Sequence, residues 1–402
     1  MKILCVVQRF YPVIGGSEIL TKNIMDHLSK NHEVTVYTTN AEDIKSFWNK
    51  NGPKISNHDF KNYEVNRFDF LTPTEIKFDE KAKTIPLATN YPGPFSPDMW
   101  KNLIVKKIDY DLIFASAFPY DHIIPAYIAA KKWNIPIIIM PLIHQEFPWL
   151  YLTSIKLTML NNCDAIIVLS ESERKILVDK GIDKTKISIM PLFIEEGLRE
   201  DLDPEKFRKS ISINPREKII LFIGSKSFVK GVIHLVEAIK IIQKKKPDVH
   251  LVLIGPTTKE FKEYFSRLPE CTKKKITDLG IVNERDKRNA LAACDLLALP
   301  SKSESFGLVY LEAWSFKKPL IGCNILPTSE IIENGKDGIL VEFGNVQEIV
   351  EAITRLINSP LLCEQIGNEG LKKVSKINSK TILKTFEEKC ISIVTNLRDK
   401  TH

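Results

Sequence analysis

Short runs of β-branched and aliphatic residues alternate with longer segments of helical period, and this alternation occurs twice along the 402 residues of the chain. In the first half the apolar runs are KILCVVQ, HEVTVYTT, DLIFAS, IPIIIM and DAIIVLS. After residue 215 they are KIILFIG, VHLVLIG, KITDLG, DLLALPS, PLIGCN and GILVEF. Strands that alternate with helices form parallel sheets whose faces the helices cover. The pattern predicts an α/β chain with two Rossmann-like, doubly wound domains.

The chain is long enough for two hydrophobic cores, since single cores stop growing at about 250–300 residues. We predict an N-terminal domain over residues 1–195, a linker over 196–217, a C-terminal domain over 218–385 and a C-terminal helix over 386–402 that packs back on the N-terminal domain. The linker is polar, contains prolines and has no strand signal. Open parallel sheets bind ligands at the carboxyl ends of their strands, so two facing domains would place a site in the cleft between them.

Residues 41–100 interrupt the alternation with a stretch rich in proline, asparagine and aromatic residues that ends in YPGPFSPDMW. This stretch is too long for an ordinary loop between a strand and a helix. We interpret it as a functional loop or as a disordered insertion, and the sequence leaves both alternatives open.

The charge balance is basic, with a formal net charge of +7 and lysine clusters at residues 106–107, 244–246 and 273–275. No aromatic residues alternate with these lysines in a nucleic-acid-reading motif, so nucleic acid is not an expected partner. Anionic ligands and an anionic membrane surface fit the charge better. Neither a secretory signal nor an apolar run of roughly 18 residues is recognisable. We expect a cytoplasmic protein, either soluble or peripheral at the membrane.

The seven cysteines are far apart in the sequence, and none has the CxxC or Cys/His spacing of a zinc site or a redox pair. Several lie in apolar runs, such as Cys5 in ILCVV and Cys294 in AACDLLAL, where a thiol packs as a small apolar group. The spacing therefore predicts reduced, mostly buried cysteines and no metal site.

The segment ALPSKSESFGLVYLEAWSFKKPLIG carries the most chemistry. Its strand delivers Glu304 into a loop, and a helix beginning near Phe306 carries Glu312 eight residues later. The amides of Phe306, Gly307 and Leu308 at that helix start, together with the helix dipole, favour a bound diphosphate. Glu312 is then placed to accept hydrogen bonds from a ribose diol, while Glu304 faces the group beyond the phosphates.

A second glycine-marked turn, Gly15 and Gly16, precedes a helix that we expect to begin at Ser17. Its amides and dipole would also attract an anionic phosphate. The GxGxxG pattern is absent, so dinucleotide binding is not predicted.

These segments resemble the retaining GT-B glycosyltransferases, in particular glycosyltransferase family four (glycosyl transferases group 1), whose glutamate signature reads PS, E, FGL and LEA. The matching residues are Pro300, Ser301, Glu304, Phe306, Gly307, Leu308, Leu311, Glu312, Ala313 and Pro319. FYPVIGGSE, HEVTVYTT and EIIENGKDGILVE resemble further family segments in the same order. The resemblance covers nearly the whole chain.

The resemblance implies a role for each matching residue. Glu312 would hold the donor ribose, Glu304 and His144 would contact the donor sugar, and Lys230 in FVKG would bind the diphosphate. Glu304, His144 and Lys230 form the expected catalytic set. The expected donor-binding set comprises Glu312, Lys226, Ser225, Gly15, Gly16, Phe306, Gly307, Leu308 and Ile281.

The chain departs from the family pattern at two places. Gly224-Ser225 stands where the family usually has Gly-Arg, so the usual phosphate arginine is missing. We expect Lys226, one residue later, to supply the charge; the alternative is a solvated Lys226, with Lys230 and the helix start sufficing. Leu326 and Pro327 replace the paired glycines that commonly precede the EII segment.

The resemblance implies a retaining transferase that moves a sugar from a nucleoside-diphosphate sugar to a glycan, a lipid-linked or a small-molecule acceptor. No metal or cofactor is expected, since lysines and helix N-termini would stabilise the leaving group. The N-terminal domain would bind the acceptor and the C-terminal domain the donor.

Other functions are compatible with parts of the sequence. One is a non-catalytic GT-B protein that binds a nucleotide sugar or a partner glycosyltransferase, and another is a GT-B phosphorylase or epimerase. The DxD sequences at 109–111 and 201–203 would suggest a metal-dependent enzyme, but one opens a strand and the other lies in the linker.

Overall fold

The computed structural model describes residues 1–13, 15–42, 45–47, 54–55, 60–72, 93, 95–144, 146–194, 197–304 and 307–401. The chain divides into two compact units, Met1–Pro191 with Lys380–His402, and Leu192–Ser379. Each unit contains one parallel sheet with helices packed on it, which confirms the predicted α/β class with two Rossmann-like domains.

The first unit has a seven-stranded sheet of order β3-β2-β1-β4-β5-β6-β7, with all strands parallel. Its strands are β1 Lys2–Val7, β2 Glu33–Thr39, β3 Glu64–Phe68, β4 Leu112–Ser116, β5 Ile137–Met140, β6 Ala165–Val168 and β7 Ile187–Ile189. Its helices before the second unit are α1 Gly16–Leu28, α2 Pro97–Trp100, α3 Ile123–Trp133, α4 Pro148–Tyr151, α5 Ser154–Asn162 and α6 Glu171–Asp179. Short 3₁₀ turns cover Lys45–Phe47 and Lys184–Lys186, and a π turn covers Lys101–Val105. The central strands are almost entirely apolar because helices bury both of their faces.

The second unit has a six-stranded parallel sheet of order β10-β9-β8-β11-β12-β13. Its strands are β8 Lys218–Ile223, β9 Val249–Ile254, β10 Ile276–Asp278, β11 Leu296–Leu299, β12 Leu320–Cys323 and β13 Ile339–Val341. Its helices are α7 Pro204–Ser210, α8 Val232–Gln243, α9 Lys259–Ser266, α10 Glu270–Lys273, α11 Glu284–Ala293, α12 Leu308–Ser315, α13 Thr328–Ile331, α14 Val346–Ile357 and α15 Pro360–Val374, with a 3₁₀ turn at Phe228–Lys230.

The segment predicted as a linker, residues 196–217, belongs to the second unit. Helix α7 packs on α11, and Phe207 and Ile213 are buried in the core of that unit. The segment is polar because only these few apolar residues face the core, so its composition hides a packed helix.

The last helix, α16 Ser379–Thr401, belongs to the first unit from Lys380 onwards and begins seven residues before the predicted start at 386. Phe386, Cys390 and Val394 recur every four residues on its buried face. The ring of Phe386 packs edge-on against Phe114 at a centroid distance of 5.6 Å.

All eleven predicted strands are present, and two more, β3 and β7, were missed. These two form the edges of the first sheet, where most residues are partly buried or exposed. Edge strands lack the continuous apolar run that marks a central strand, so periodicity alone does not reveal them.

In both sheets the strand order reverses beside the first strand of the unit, between β1 and β4 and between β8 and β11. Open α/β sheets bind ligands at the carboxyl ends of the strands at such a switch point. The loops that follow β1, β4, β8 and β11 are therefore the candidate ligand-binding loops. Among the described helices, none is both long and apolar enough to cross a membrane.

Candidate functional site

In the second unit, the loop after β8 is held against the loop after β11. The backbone amide of Lys302 donates to the carbonyl oxygen of Val229 at 2.7 Å, and the hydroxyl of Ser301 lies 3.4 Å from the same oxygen. Gly231 has a φ of +71°, and a Cβ at this position would lie 1.9 Å from the carbonyl oxygen of Pro300. Only glycine allows the loops to approach this closely.

These loops bring two of the predicted catalytic residues together. The ammonium of Lys230 lies 2.8 Å from Oε1 of Glu304 and donates to the carbonyl oxygen of Ser303 at 3.0 Å. The Glu304 side chain is 9% exposed and that of Lys230 is 24% exposed. Within the described part of the chain, Oε1 of Glu304 makes no aligned hydrogen bond, so the contact is an ion pair that leaves this oxygen able to accept one. A positive charge and an acceptor carboxylate therefore lie side by side after β8 and β11.

Helix α12 begins just after this loop, with Gly307 as its N-cap and Leu308 as its first residue. The predicted start near Phe306 was two residues too early, and Phe306 itself lies outside the described residues. Gly307 has a φ of +61°, and a Cβ there would lie 2.6 Å from Cδ2 of Tyr310. The left-handed backbone and the buried tyrosine together require glycine at the start of this helix.

Glu312, on α12, is paired with a lysine that sequence reasoning missed. The ammonium of Lys287 on α11 donates to Oε1 of Glu312 at 2.9 Å and lies 2.8 Å from Oε2 of Glu284. Burial raises the pKa of the Glu312 carboxyl, and the charge of Lys287 opposes this rise. The helical spacing of Lys287 from Ala290 and Leu291 indicates that this lysine lies on the buried face of α11, but it does not identify Glu312 as its partner.

Lys226 is fully buried, so the solvated-loop alternative is wrong. Its ammonium bonds Oδ1 of Asp278, at the end of β10, at 2.6 Å and also donates to the carbonyl oxygen of Gly255. A buried ammonium needs such partners, because an unpaired charge in the interior is costly. Direct contact between Lys226 and a diphosphate stays a prediction, and it would require this fully buried ammonium to become accessible.

Two further predicted donor-binding residues lie near this ion pair in the sequence. Ser225 is half-buried, with its hydroxyl 3.4 Å from that of Ser227. Ile281 is 65% exposed and follows Gly280, whose amide donates to Oδ1 of Asp278 at 2.9 Å. Their roles toward a donor stay predictions.

In the first unit, Gly15 is the N-cap of α1 and Gly16 is its first residue, one position before the predicted start at Ser17. A Cβ on Gly15 would lie 2.2 Å from Oε2 of Glu18. This buried carboxylate pairs with Arg9 at 2.6 Å and accepts from the Ser17 hydroxyl at 2.9 Å. The close packing of Glu18 is thus one physical reason for the glycine, and contact with a phosphate stays a prediction.

His144 follows β5 in the first unit, with its half-buried ring 5.4 Å from the ring of Tyr151. The chain before it is fixed by Glu173 of α6, which accepts from the amide of Ile143 at 2.9 Å and from that of Leu169 at 3.0 Å. Burial raises the pKa of Glu173 to about 7. Sequence reasoning missed Glu173, because a glutamate in the first turn of a helix gives no sign that it bonds another loop.

The acidic DxD sequences have structural partners. Asp109 pairs with Lys2 at 2.8 Å, and Asp203 caps α7 by accepting from the amide of Lys206 at 2.8 Å. Across the described residues, no three His, Cys, Asp or Glu side chains are grouped as metal ligands. All seven cysteines are free thiols, and five of them are buried.

The second unit thus presents, at one switch point, an ion-paired lysine and glutamate, the start of α12, and a partly buried carboxylate on the same helix. Helix α8 also begins here, directly after Gly231. Helix N-termini and a lysine favour an anionic group such as a phosphate, and carboxylates accept hydrogen bonds from sugar hydroxyls. This donor set suits a nucleotide that carries a sugar.

Comparison with known proteins agrees with this arrangement. The family model described as Glycosyltransferase Family 4 matches residues 14–197, and the one described as Glycosyl transferases group 1 matches residues 203–373. A 41.2 kDa protein in the cps region of Klebsiella pneumoniae is 23% identical over 376 residues, which is 91% of this chain and 95% of that protein. The capsular polysaccharide biosynthesis glycosyltransferase CapM of Staphylococcus aureus is 29% identical over 231 residues, 55% of this chain and 60% of CapM.

Among solved structures, Anabaena HepE in complex with UDP and glucose has a similar fold, with a TM-score of 0.74 and 19% identity over 98% of this chain and all of HepE. Two Rossmann-like units with these signature segments define a glycosyltransferase of the GT-B fold. The chain belongs to glycosyltransferase family four, the glycosyl transferases group 1.

Proposed function

We propose that this glycosyltransferase moves a sugar from a nucleoside-diphosphate sugar to an acceptor, with retention of the anomeric configuration and without a metal ion. The observation that carries the proposal is the Lys230–Glu304 pair beside the start of α12. Glu312, on the same helix, supplies a second carboxylate for the ribose. Helix α12 and the loop that precedes it thus carry both Glu312, proposed to bind the nucleotide, and Glu304, proposed to act on the sugar.

UDP-hexoses are the first donors to test. HepE has been solved with UDP, with UDP and glucose, and with UDP-glucose, and it has the same fold. The choice of uracil as the nucleotide base rests on the similarity to HepE alone. The diphosphate and the ribose rest on this chain's own lysine, helix N-termini and carboxylates.

The proposed reaction breaks the bond between the sugar C1 and the β-phosphate oxygen and forms a bond from C1 to the acceptor oxygen on the same face. Negative charge grows on the departing phosphate, and Lys230 with the N-termini of α8 and α12 stabilises it. The acceptor proton passes to the departing phosphate oxygen. Glu304 and His144 orient the donor sugar, and no covalent sugar–enzyme intermediate forms.

The acceptor is proposed to bind the first unit, at an anionic membrane surface. The aromatic stretch that ends the insertion at Trp100 is one candidate for this contact, but Tyr91 lies outside the described residues and Trp100 donates to Oδ2 of Asp121 at 2.7 Å. Trp149 on α4 is instead 72% exposed. Exposed tryptophan suits a membrane interface, and each lysine near an anionic surface contributes about 1 kcal/mol.

Sedimentation with vesicles tests this membrane contact. We expect salt-sensitive binding to phosphatidylserine vesicles that weakens in Trp149→Ala, and no binding to neutral vesicles. Binding to neither kind of vesicle would leave a soluble acceptor and a purely cytoplasmic enzyme as the better proposal, and equal binding to both would refute the attraction to an anionic surface.

A non-catalytic nucleotide-sugar-binding protein or partner subunit is the second candidate. Ser225 replaces the usual arginine, and the neighbouring Lys226 is held by Asp278, so Lys230 is left to contact the diphosphate. A phosphorylase or an epimerase would have the same fold but would catalyse a different reaction.

Release of nucleoside diphosphate decides between these functions. The proposal expects release that depends on an added acceptor, first tested with a panel of UDP-, GDP- and ADP-sugars and membrane extracts as the acceptor source. Donor binding without release would favour the non-catalytic protein. Sugar phosphate formed with inorganic phosphate would favour a phosphorylase, and interconversion of the donor sugar an epimerase.

A further inference from the structure

A lysine on the buried face of α11, itself outside the signature segments, makes ion-pair contacts with two glutamates. Lys287 lies between Oε1 of Glu312 at 2.9 Å and Oε2 of Glu284 at 2.8 Å. Its side chain is 11% exposed, and that of Glu312 is 14% exposed. The contact to Glu312 is an aligned hydrogen bond between charged groups on two different helices.

A lysine at this position carries a cost. Ala290 and Leu291 lie one turn further along the same buried face. An apolar side chain at position 287 would pack there without the free-energy cost of removing a charge from water. Such a cost is offset when the buried charge is paired. Burial lowers the pKa of Lys287, but the carboxylates of Glu312 and Glu284 outweigh it and the pKa stands above its usual value. Lys287 is therefore a cation whose charge is directed at Glu312.

We propose that Lys287 is a positioning residue that keeps Glu312 ionised and oriented to accept hydrogen bonds from the two ribose hydroxyls of the donor. An ionised carboxylate has acceptor sites on both oxygens, and the bond to Lys287 on Oε1 still leaves Oε2 and the second lone pair of Oε1 for the diol. A protonated carboxyl would offer a donor in place of one of these acceptors. This inference rests on the proposed function, and it assigns the selection of ribose to Glu312 and Lys287.

Among the described residues, the charged groups that influence Glu312 are Lys287, Glu284 and Arg288. Burial raises the pKa of Glu312, and Lys287 is the largest opposing influence. Without Lys287, burial and the repulsion from Glu284 are opposed chiefly by Arg288. The pKa of Glu312 then rises further, and the carboxyl is protonated over more of the neutral range.

The test is discrimination between UDP and 2′-deoxy-UDP, measured by titration calorimetry at pH 7 and pH 9. The corresponding ADP and GDP pairs are used if UDP does not bind. The unmodified protein is expected to prefer the ribonucleotide about tenfold or more, since a charge-assisted bond to the 2′-hydroxyl is lost with the deoxy sugar. Lys287→Met is expected to reduce this preference to less than about threefold at pH 7 and to regain it at pH 9, where Glu312 ionises again.

Three control variants separate positioning from folding. Lys287→Arg keeps the charge and is expected to retain the preference. Glu312→Gln is expected to lose it at both pH values. Lys318→Met removes another lysine of the second unit, one that bonds the carbonyl oxygens of Ala292 and Cys294 rather than Glu312, and is expected to behave as the unmodified protein.

Each outcome has a definite meaning. Unchanged ribose preference in Lys287→Met, or a loss that pH 9 does not reverse, overturns the positioning role while leaving nucleotide binding in place. If Lys287→Met does not fold, Lys287→Arg decides, and loss of its ribose preference overturns the inference. Absence of binding by the unmodified protein to UDP, ADP and GDP overturns the proposed function, and this inference with it.

Discussion

The ammonium of Lys230 lies 2.8 Å from Oε1 of Glu304, although the two residues are 74 positions apart in the chain. The contact exists because the loop after β8 and the loop after β11 meet where the strand order reverses. A donor diphosphate would draw Lys230 toward its own charge, and Glu304 would turn to the sugar hydroxyls. The ion pair thus holds together the residue proposed to stabilise the leaving phosphate, Lys230, and the residue proposed to orient the donor sugar, Glu304.

Replacing Glu304 by glutamine tests this division of roles. Turnover is expected to fall by about a hundredfold, because an acceptor and a negative charge at the reaction centre are lost. Donor affinity is expected to stay within about fivefold, since Lys230 loses its competing partner. Nucleoside diphosphate release and calorimetric donor binding measure the two effects. Turnover at the unmodified rate would remove Glu304 from the reaction centre.

Gly231 is expected to be irreplaceable for a steric reason. Alanine there would carry the strain of a φ of +71° and a Cβ 1.9 Å from the carbonyl oxygen of Pro300. Gly335 is the matched control, with a φ of +80° and no atom near its Cβ position. Thermal unfolding should show a loss of about 1–2 kcal/mol for Gly335→Ala and a clearly larger loss for Gly231→Ala, together with weakened donor binding. Similar melting temperatures for the two variants would mean that the loops do not need this contact.

Much of the fold and part of the site could be predicted from the sequence. Central strands are apolar runs, and the glutamate signature is a local pattern, so both are visible along the chain. The partners of Lys226 and Glu312 were not predictable, because Asp278 and Lys287 are distant in sequence and only the packing of the sheet and of α11 brings them near. The edge strands were missed because partial exposure removes their apolar pattern.

The stability of the first unit is expected to depend on pH through Glu173. Burial raises the pKa of this group in the folded protein to about 7 from an ordinary value of 4.5. The folded state therefore retains a proton that the unfolded chain releases between these values. The stabilising contribution is complete below pH 4.5 and is lost as the pH rises to about 7. Thermal unfolding from pH 5 to 8 should show a steeper fall for the unmodified protein than for Glu173→Gln, and parallel curves would contradict the assignment.

Activity is expected to survive chelation, and the product is expected to keep the donor's anomeric configuration. The proposed reaction assigns the charge of the leaving group to Lys230 and to the N-termini of α8 and α12, a role that a divalent ion takes in DxD enzymes. Nucleoside diphosphate release is measured with excess EDTA, and the linkage is assigned by NMR. A strict manganese or magnesium requirement would refute the metal-free proposal, and an inverted linkage would refute retention.

The final prediction concerns Lys226, which stands one residue after the position of the missing arginine. Asp278→Asn is expected to release its ammonium while keeping the positive charge, so donor affinity should be equal or higher. Lys226→Met removes the charge and is expected to weaken donor binding by about ten- to a hundredfold, the range of a lost charge-assisted contact.

The comparison of these two variants separates a phosphate contact from a structural tie. Both break the same buried ion pair, and each should lower the melting temperature, because one partner is left without its counter-charge. A purely structural Lys226 would therefore make donor affinity fall equally in both variants, in proportion to the lost stability. A difference in affinity at similar stability would show that the charge at this position acts on the diphosphate, because Asp278→Asn retains the ammonium whereas Lys226→Met retains only the carboxylate.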